Sequence, residues 1–479
     1  MDVTVIRSGN RIKVTPHCMN LLQDELTYQR RVQQSGDVRD TIYKTVRLYQ
    51  VERDGLLTNS GLTERVIKKL RSAGHNVTLI DRRPQILPEP KYENLDSLRE
   101  GQAELLATII SSDHGVICAP TGAGKSWLIR QICKLWPEAK ILICSPFSGI
   151  IRQTVRELRF LLGPNEVGQV GDGACEPKRR VVCAVSNSLM KCELDRTQIF
   201  IFDEVHRAGS PALAAVISRV MNARMYGFSA SPKGRSDNTD MEVESAFGPI
   251  IAEVEYQDVQ KTGGVVPVEA RIYSCVNMRD DSFSTTTALE RHLLWRNRER
   301  NQLIAAMVKD ARLLYGDDAQ ILISVAKVEH AVNLGKLLPD FELVYRNMDK
   351  GDRFRWERDG LIPPGVHPLS PKRRAELEIG FSSGTIKRAI ATCWGTGMDF
   401  PQLNVIIRAD AAGSKIANTQ IPGRVTRSAS GKTVGIVMDL DDCFNQKLAR
   451  RAQARIGLYR KKGWAVVRAT LSATVKENI

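Results

Sequence analysis

Several things are missing from this 479-residue chain, and each absence removes a class of protein. No stretch reaches the roughly 18 consecutive apolar residues that a membrane-spanning helix requires, so no membrane partner is expected. Met1-Asp2-Val3-Thr4 lacks the basic-then-apolar order of a secretory signal, which leads to the expectation of a cytoplasmic protein. The ten cysteines contain no CxxC pair, and Cys118, Cys144 and Cys183 sit inside apolar runs. Reduced, buried thiols are expected rather than a disulfide or metal framework. Low-complexity tracts and short repeats are also absent. Acidic residues are in deficit, with 54 Asp and Glu against 69 Lys and Arg, a formal net charge of +15. Such an excess favours a polyanion, because basic side chains displace counterions from phosphates; an acidic membrane surface would give the same charge signal. What is present, 42% apolar and 26% charged residues, is the composition of a folded chain with length for about three domains.

Four zones follow one another. Residues 1–91 alternate strand-like stretches (11–14 and 45–51) with a helix expected over 62–73, stopped at Gly74, and a strand over 77–80. Pro84, Pro88 and Pro90 read as a linker. Ser97-Leu98-Arg99-Glu100 is a capping-box signature for the next helix. From 92 to 262, short apolar runs at 116–118, 140–144, 181–184, 199–202 and 225–228 alternate with helical patterns. Continuous apolar strands between helices argue for a parallel sheet covered on both faces. After Lys261-Thr262-Gly263-Gly264 the pattern recurs over 263–445, with strands at 321–324, 389–392, 405–408 and 434–438. Residues 446–479 read as a basic helix with a strand-like tail. The fold class is α/β: two tandem parallel-sheet lobes preceded by a small α+β accessory domain.

Between the 116–118 strand and its helix lies Ala119-Pro120-Thr121-Gly122-Ala123-Gly124-Lys125-Ser126. Gly122 and Gly124 let backbone N–H groups turn inward, and the helix N-terminus adds its dipole, so the loop suits a nucleoside triphosphate. Lys125 is placed to reach the β- and γ-phosphates, and the Ser126 hydroxyl to ligate Mg²⁺. Ala119 stands where the strict pattern has Gly. The strand at 199–202 delivers Asp203-Glu204-Val205-His206, two carboxylates at a strand end. Asp203 is the candidate metal residue, and Glu204 the group that orients and deprotonates water.

On these residues the chain resembles the superfamily 2 DExH helicases, whose lobes are RecA-like. Asp203-Glu204-Val205-His206 matches their DExH box. Leu98 to Gln102 resembles the adenine-reading motif, implying base contacts by Arg99 and Gln102. Ser229-Ala230-Ser231 matches the coupling motif, with Ser last where Thr is usual. Ser145, Pro146, Gln153 and Ser186 fall where the first lobe of such enzymes meets a nucleic-acid strand. In the second lobe, Thr392 to Asp399 resembles the fifth motif, implying a nucleic-acid contact at Thr392 and nucleotide contacts at Gly397 and Asp399. Gln420-Ile421-Pro422-Gly423-Arg424-Val425-Thr426-Arg427 matches the sixth, QxxGRxxR. Gln420, Arg424 and Arg427 would then act in catalysis, the arginines as fingers on the γ-phosphate. Planar guanidinium groups suit the spread charge of that transition state.

Within the superfamily, Val328-Glu329-His330-Ala331, Arg455-Ile456-Gly457-Leu458-Tyr459-Arg460 and the front segment from Tyr49-Gln50-Val51-Glu52 to Asp81-Arg82-Arg83-Pro84 resemble the XPB-like and phage UvsW-like branch. That likeness implies an ATP- and Mg²⁺-dependent DNA helicase, expected as a monomer with residues 1–91 as a DNA-binding accessory domain, acting on forked or branched DNA in recombination, repair or replication. If phage-encoded, it would work in the host cytoplasm. An RNA helicase, a non-unwinding double-stranded DNA translocase and a clamp without turnover are the alternatives. Two basic stretches lie outside the motifs. Arg353, Phe354, Arg355 and Trp356 either grip phosphates and stack on bases or form a surface loop with packed aromatics. The charges from Lys447 to Lys462 either track DNA or are solvated.

Overall fold

In the computed structural model the chain divides into two compact units, one of Met1–Pro120 with Gly124–Glu255, the other of Thr121–Ala123 with Tyr256–Ile479. The structure describes all residues except 33–41, 84–86, 88, 97, 99–100, 121, 233–237, 262, 276–282, 284, 346–347, 349, 361, 363–368, 393, 395–399 and 473–479.

The first unit opens with a small sheet of β1 (Asp2–Ser8), β2 (Arg11–Thr15), β5 (Tyr49–Val51), β6 (Leu56–Asn59) and β7 (Asn76–Asp81), ordered β5-β6-β2-β1-β7. Val3, Val5, Ile12 and Val14 alternate onto one face and meet Val66 and Leu70 of the helix Thr63–Ser72. Gly74 follows that helix at φ 81°. The single strand expected over 45–51 is two. β4 (Ile42–Arg47) pairs with β3 (Thr27–Val32) as a separate hairpin, while β5 joins the sheet. The break falls at Leu48, whose N–H bonds to the Leu26 carbonyl at 2.9 Å.

This sheet is fastened to the larger one behind it. Arg65 forks onto Glu244 at 2.9 and 2.8 Å. Asn59 donates to Ser245 at 2.8 Å. Gly61 has to be glycine, since a Cβ there would stand 2.3 Å from the Glu244 carbonyl oxygen. His114 Nδ1 lies 2.7 Å from the Arg7 guanidinium and its Nε2 2.9 Å from Ser60 Oγ. Arginine only donates, so His114 accepts at Nδ1 and donates from Nε2 as a neutral ring. Burial, then the charge of Arg7, holds its pKa well below the usual value.

The larger sheet comprises β8 (His114–Cys118), β9 (Ile141–Ser145), β10 (Val167–Gly171), β11 (Ala174–Cys175), β12 (Val181–Val185), β13 (Ile199–Asp203), β14 (Arg224–Ser229) and β15 (Ile250–Glu253). Their order is β11-β10-β12-β9-β13-β14-β8-β15, parallel except for the β10–β11 pair. Chain order is thus broken by placing β14 between β13 and β8. The strand ends from which Asp203, Ser229 and Ala119 emerge become neighbours.

The second unit is a parallel sheet of β16 (Val268–Ser274), β17 (Gln320–Ser324), β18 (Glu342–Val344), β19 (Arg388–Ala391), β20 (Leu403–Arg408), β21 (Gly435–Asp441) and β22 (Ala465–Ala469), ordered β18-β19-β17-β20-β21-β16-β22. The tail after the basic helix is therefore the edge strand of this sheet. Both units are RecA-like α/β layers, with buried Ile, Val, Leu and Met at the centre of each. Among the described residues nine cysteines are unpaired. Cys133, Cys144 and Cys183 are buried, whereas Cys175 and Cys443 are exposed, contrary to the expectation of burial. No described helix is long and apolar enough to cross a membrane.

Candidate active site

The strand β8 runs into the loop 119–124 and the helix Lys125–Leu135. Gly122 (φ 90°) and Gly124 (φ 87°) adopt the left-handed backbone that side chains disfavour, which turns successive N–H groups to one side. Lys125 Nζ donates to the carbonyls of Ala119 at 2.9 Å and Pro120 at 3.4 Å, so the cation stands over its own loop. Ser126 is exposed in the first turn of that helix, and Ala123 is half-buried. Gln102 begins the helix Gln102–Ser111, behind Gly101 at φ 74°. Its side-chain amide lies 3.2 Å from where a Cβ on Gly124 would stand, so the expected adenine contact is beside the phosphate loop. Arg99 and Thr121, like Ser97 and Glu100 of the capping box, lie outside the described residues.

Across β14, the buried apolar strand β13 ends at Asp203. Asp203 accepts the Glu204 N–H at 3.0 Å. Burial first, and the neighbouring Glu204 carboxylate second, push its pKa up to about 7, against the opposing pull of Lys125. Two adjacent carboxylates in a partly dry site repel. Glu204 itself is held at φ 61°, ψ 47°, a left-handed conformation that costs a non-glycine residue about 1–2 kcal/mol. That turn projects the Glu204 carboxylate toward His206.

His206 is fully buried, its Nδ1 3.0 Å from Ser229 Oγ and 3.2 Å from Glu204 Oε2. Ser229 Oγ also takes the Ser231 N–H at 3.1 Å, and the Ser229 carbonyl takes the Ala119 N–H at 2.9 Å. One residue of the coupling motif therefore touches both ends of the site, the phosphate loop through its backbone and the second carboxylate through His206. Gly227, two residues earlier, leaves room for Val205, whose Cγ2 would lie 2.6 Å from a Cβ there.

The expected strand contacts of the first unit lie together, since Val185 pairs with Ser145 at the ends of β12 and β9. Ser145 is a correction, however. It is fully buried, with Oγ accepting the Phe147 N–H at 3.4 Å, so its side chain shapes the turn and does not face a ligand. Pro146, Gln153 and Ser186 are half-buried, and Gln153 donates to Glu157 at 2.8 Å.

In the second unit the two arginines do not share an α-helix. Lys415–Gln420 is helical, Pro422–Thr426 is a tighter 3-10 turn, and Arg427 is extended. Pro422 accounts for the break, because it has no N–H to continue the ladder. Gln420 and Arg424 are buried and Arg427 is half-buried. Thr392 follows β19, its N–H bonded to the Val344 carbonyl at 3.0 Å; Gly397 and Asp399 lie outside the described residues.

Behind this segment lies a buried ion network that the sequence did not announce. Arg408 forks onto Asp410 at 2.8 Å and donates to Asn418 at 2.9 Å and to the Tyr459 hydroxyl at 3.2 Å. Tyr459 in turn donates to Asp439 at 2.7 Å, which also takes Arg455 at 2.8 Å. The Arg455-to-Arg460 motif thus braces the helix that carries Gln420, through Asn418. Arg455, part of the run expected either to track DNA or to be solvated, has no exposure at all.

The stretch around Arg353 forms the helix Lys350–Arg358. Trp356 is only 5% exposed, packed with Val332, Tyr345, Met348 and Ile362. It is a core side chain and offers no face to a base. Arg353 pairs with Glu357 at 2.9 Å and Arg355 with Asp352 at 3.5 Å, while Phe354 is 70% exposed.

Comparison with known proteins gives a family model and several relatives. Residues 95–234 match the family described as "Type III restriction enzyme, res subunit". A DNA 3'-5' translocase, XPB2 of Sulfurisphaera tokodaii, is 22% identical over 76% of this chain and 86% of its own. The African swine fever virus protein QP509L, provisionally named an ATP-dependent RNA helicase, is 26% identical over 74% and 69%. The ATP-dependent DNA helicase uvsW of Enterobacteria phage T4 is 24% identical over 75% and 70%. Among solved structures, S. cerevisiae Dbp5 bound to RNA and ADP BeF3 superposes with a TM-score of 0.51 at 15% identity, over 76% of this chain and 89% of that one, a likeness of fold. The chain is similar to the superfamily 2 helicases, with relatives in the XPB-like and UvsW-like branch, and is an ATP-dependent enzyme of the helicase and translocase kind.

Proposed function

We propose that the protein is a DNA-dependent ATPase that moves along DNA and acts on forks or branched junctions. The observation that carries the ATPase reading is the contact chain from Glu204 through His206 and Ser229 to the loop residue Ala119. It ties the water-activating carboxylate to the phosphate cradle. The DNA reading draws support from the two DNA-acting relatives and from the net charge of +15.

In this reading Lys125 and the N–H groups of Thr121 to Gly124 hold the phosphates, while Arg99 and Gln102, with Gly397 and Asp399, contact the rest of the nucleotide. Ser126 and Asp203 offer a hydroxyl and a carboxylate, the oxygen donors a hard divalent cation takes. These two oxygen donors are of the kind that suits Mg²⁺. When bound, the ion would draw charge from the phosphate oxygens. Glu204 orients and deprotonates the attacking water, and His206 fixes the angle of Glu204. Gln420, Arg424 and Arg427 neutralise the transferring phosphoryl group. Pro146, Gln153, Ser186 and Thr392 touch the nucleic-acid strand, with Arg353 and Arg355 as outlying contacts.

ATP hydrolysis measured with forked DNA, linear duplex, four-way junctions and RNA, with Lys125→Ala as baseline, tests the reading. Stimulation greatest on branched DNA is expected. An RNA helicase is the second reading, favoured by the likeness to the viral protein, and stimulation by RNA alone would establish it.

A further inference from the structure

The β3–β4 hairpin has two unlike faces. Directly paired residues share a face, so Thr27, Gln29, Arg31, Tyr43, Thr45 and Arg47 lie on one side and Tyr28, Arg30, Lys44 and Val46 on the other. The second side is braced near Tyr28, while Ile42 and Lys44 on it are exposed. Tyr28 donates its hydroxyl to Glu242 at 2.9 Å, and Asn238 donates to the Gln29 carbonyl at 3.2 Å. Bracing of this kind is what a two-stranded ribbon, marginal by itself, needs. The first side is open: Gln29, Arg31, Tyr43, Thr45 and Arg47 are all exposed, Tyr43 by 56%. Across both strands there are four basic residues and no acidic one. Neither Arg31 nor Arg47 makes an ion pair with a described residue, although most arginines of this protein do.

We propose that this face of the hairpin is a contact surface for the phosphate backbone of duplex DNA. Three arguments favour that occupant. The charge on the two strands is of one sign, and Arg31 and Arg47 have no ion-pair partner among the described residues, which suits a polyanion. A two-stranded ribbon is of a size that the major groove of B-DNA, roughly 12 Å wide, admits. Arg31 and Arg47 stand four residues apart along the ribbon, about 13 Å at strand spacing, the rise of about four base pairs. The hairpin is joined through Glu242 to the helix Asp240–Phe247 of its own unit, which also carries Lys125, while Arg65 fastens the adjoining sheet through Glu244 on the same helix. A grip there holds the duplex to that unit. The inference rests on the DNA reading above and names one surface that would serve it.

The test is duplex binding by the full chain without nucleotide, followed by fluorescence anisotropy across a salt series. For the Arg31→Ala/Arg47→Ala double variant, the slope of log affinity against log salt is expected to fall by about 1.8, as two lost phosphate contacts require. At 0.1 M salt that corresponds to roughly ten- to sixty-fold weaker binding. Gln29→Lys, which adds a cation to the same face, is expected to raise the slope by about 0.9. An unchanged slope in the double variant overturns the proposal, as does a change seen with duplex RNA alone or a parent protein without duplex affinity. Should the double variant not fold, an unchanged slope in Gln29→Lys overturns it. Hairpin-dependent binding in a protein whose ATPase ignores DNA would contradict the proposed function and leave this inference standing.

Discussion

Two regions of this protein are rich in basic residues, and the structure uses them differently. Between Lys447 and Lys462 there are seven, almost without acidic counterweight in the sequence. Yet Arg455 is spent on Asp439, Arg451 on Glu290 at 2.8 Å, Lys447 on the Thr286 hydroxyl at 2.6 Å, and Lys462 on the Thr419 carbonyl at 3.2 Å. Arg450, Arg460 and Lys461 remain exposed. The β3–β4 hairpin has fewer charges, but Arg31 and Arg47 face outward with no ion-pair partner among the described residues. The lesson is that a run of charge shows where cations are, while the fold decides which are left for a partner. The acids that neutralise the helix come from β21 and from the helix before residue 291, far away in sequence.

The strongest way to break this contrast is Arg455→Ala. It strands a buried Asp439 carboxylate, and a loss of about 3–5 kcal/mol is expected, measured by denaturant unfolding. A loss within error would mean that the helix arginine is not structural. Trp356→Ala should cost a similar amount, about 3–5 kcal/mol for an aromatic removed from a packed cluster, whereas Phe354→Ala should leave the unfolding midpoint where it was. Weaker binding with unchanged stability in Trp356→Ala would return that ring to the ligand. Tyr459→Phe removes the hydroxyl between Arg408 and Asp439, an expected cost of about 1–3 kcal/mol. The smallest effect is expected from Arg450→Ala/Arg460→Ala/Lys461→Ala. Its unfolding midpoint should be unaltered, and its salt slope for duplex DNA should change less than that of the hairpin double variant. The reverse order of slopes would move the DNA surface to the helix.

The strands that deliver chemistry were legible because they are continuous apolar runs, such as Ile199–Asp203, each followed by a motif of fixed spacing. Others gave little signal. Val167–Gly171 contains two glycines, Val268–Ser274 interleaves Glu269 and Arg271 with its apolar residues, and Glu342–Val344 has three residues. Along the chain, His206 and Ser229 are separate motifs, and only the placing of β14 between β13 and β8 brings them to 3.0 Å. The left-handed turn at Glu204 is equally invisible, since nothing in Asp203-Glu204-Val205-His206 demands glycine-like backbone. Ser145 was expected at a ligand and Trp356 stood open between stacking and packing, and one reason covers both. Residue type shows what a side chain is able to do, and burial shows whether it faces anything. Arg455 and Tyr459 stand in one sequence motif, but the acid that pairs with them lies on another element.

Steady-state ATP hydrolysis by the purified full chain, with and without forked DNA, alongside Lys125→Ala and Glu204→Gln, tests the central claim most directly. The account predicts hydrolysis that forked DNA stimulates in the parent and that both variants lose, since one removes the phosphate contact and the other the base. Turnover that survives both substitutions, or a parent indifferent to DNA of any form, would contradict it.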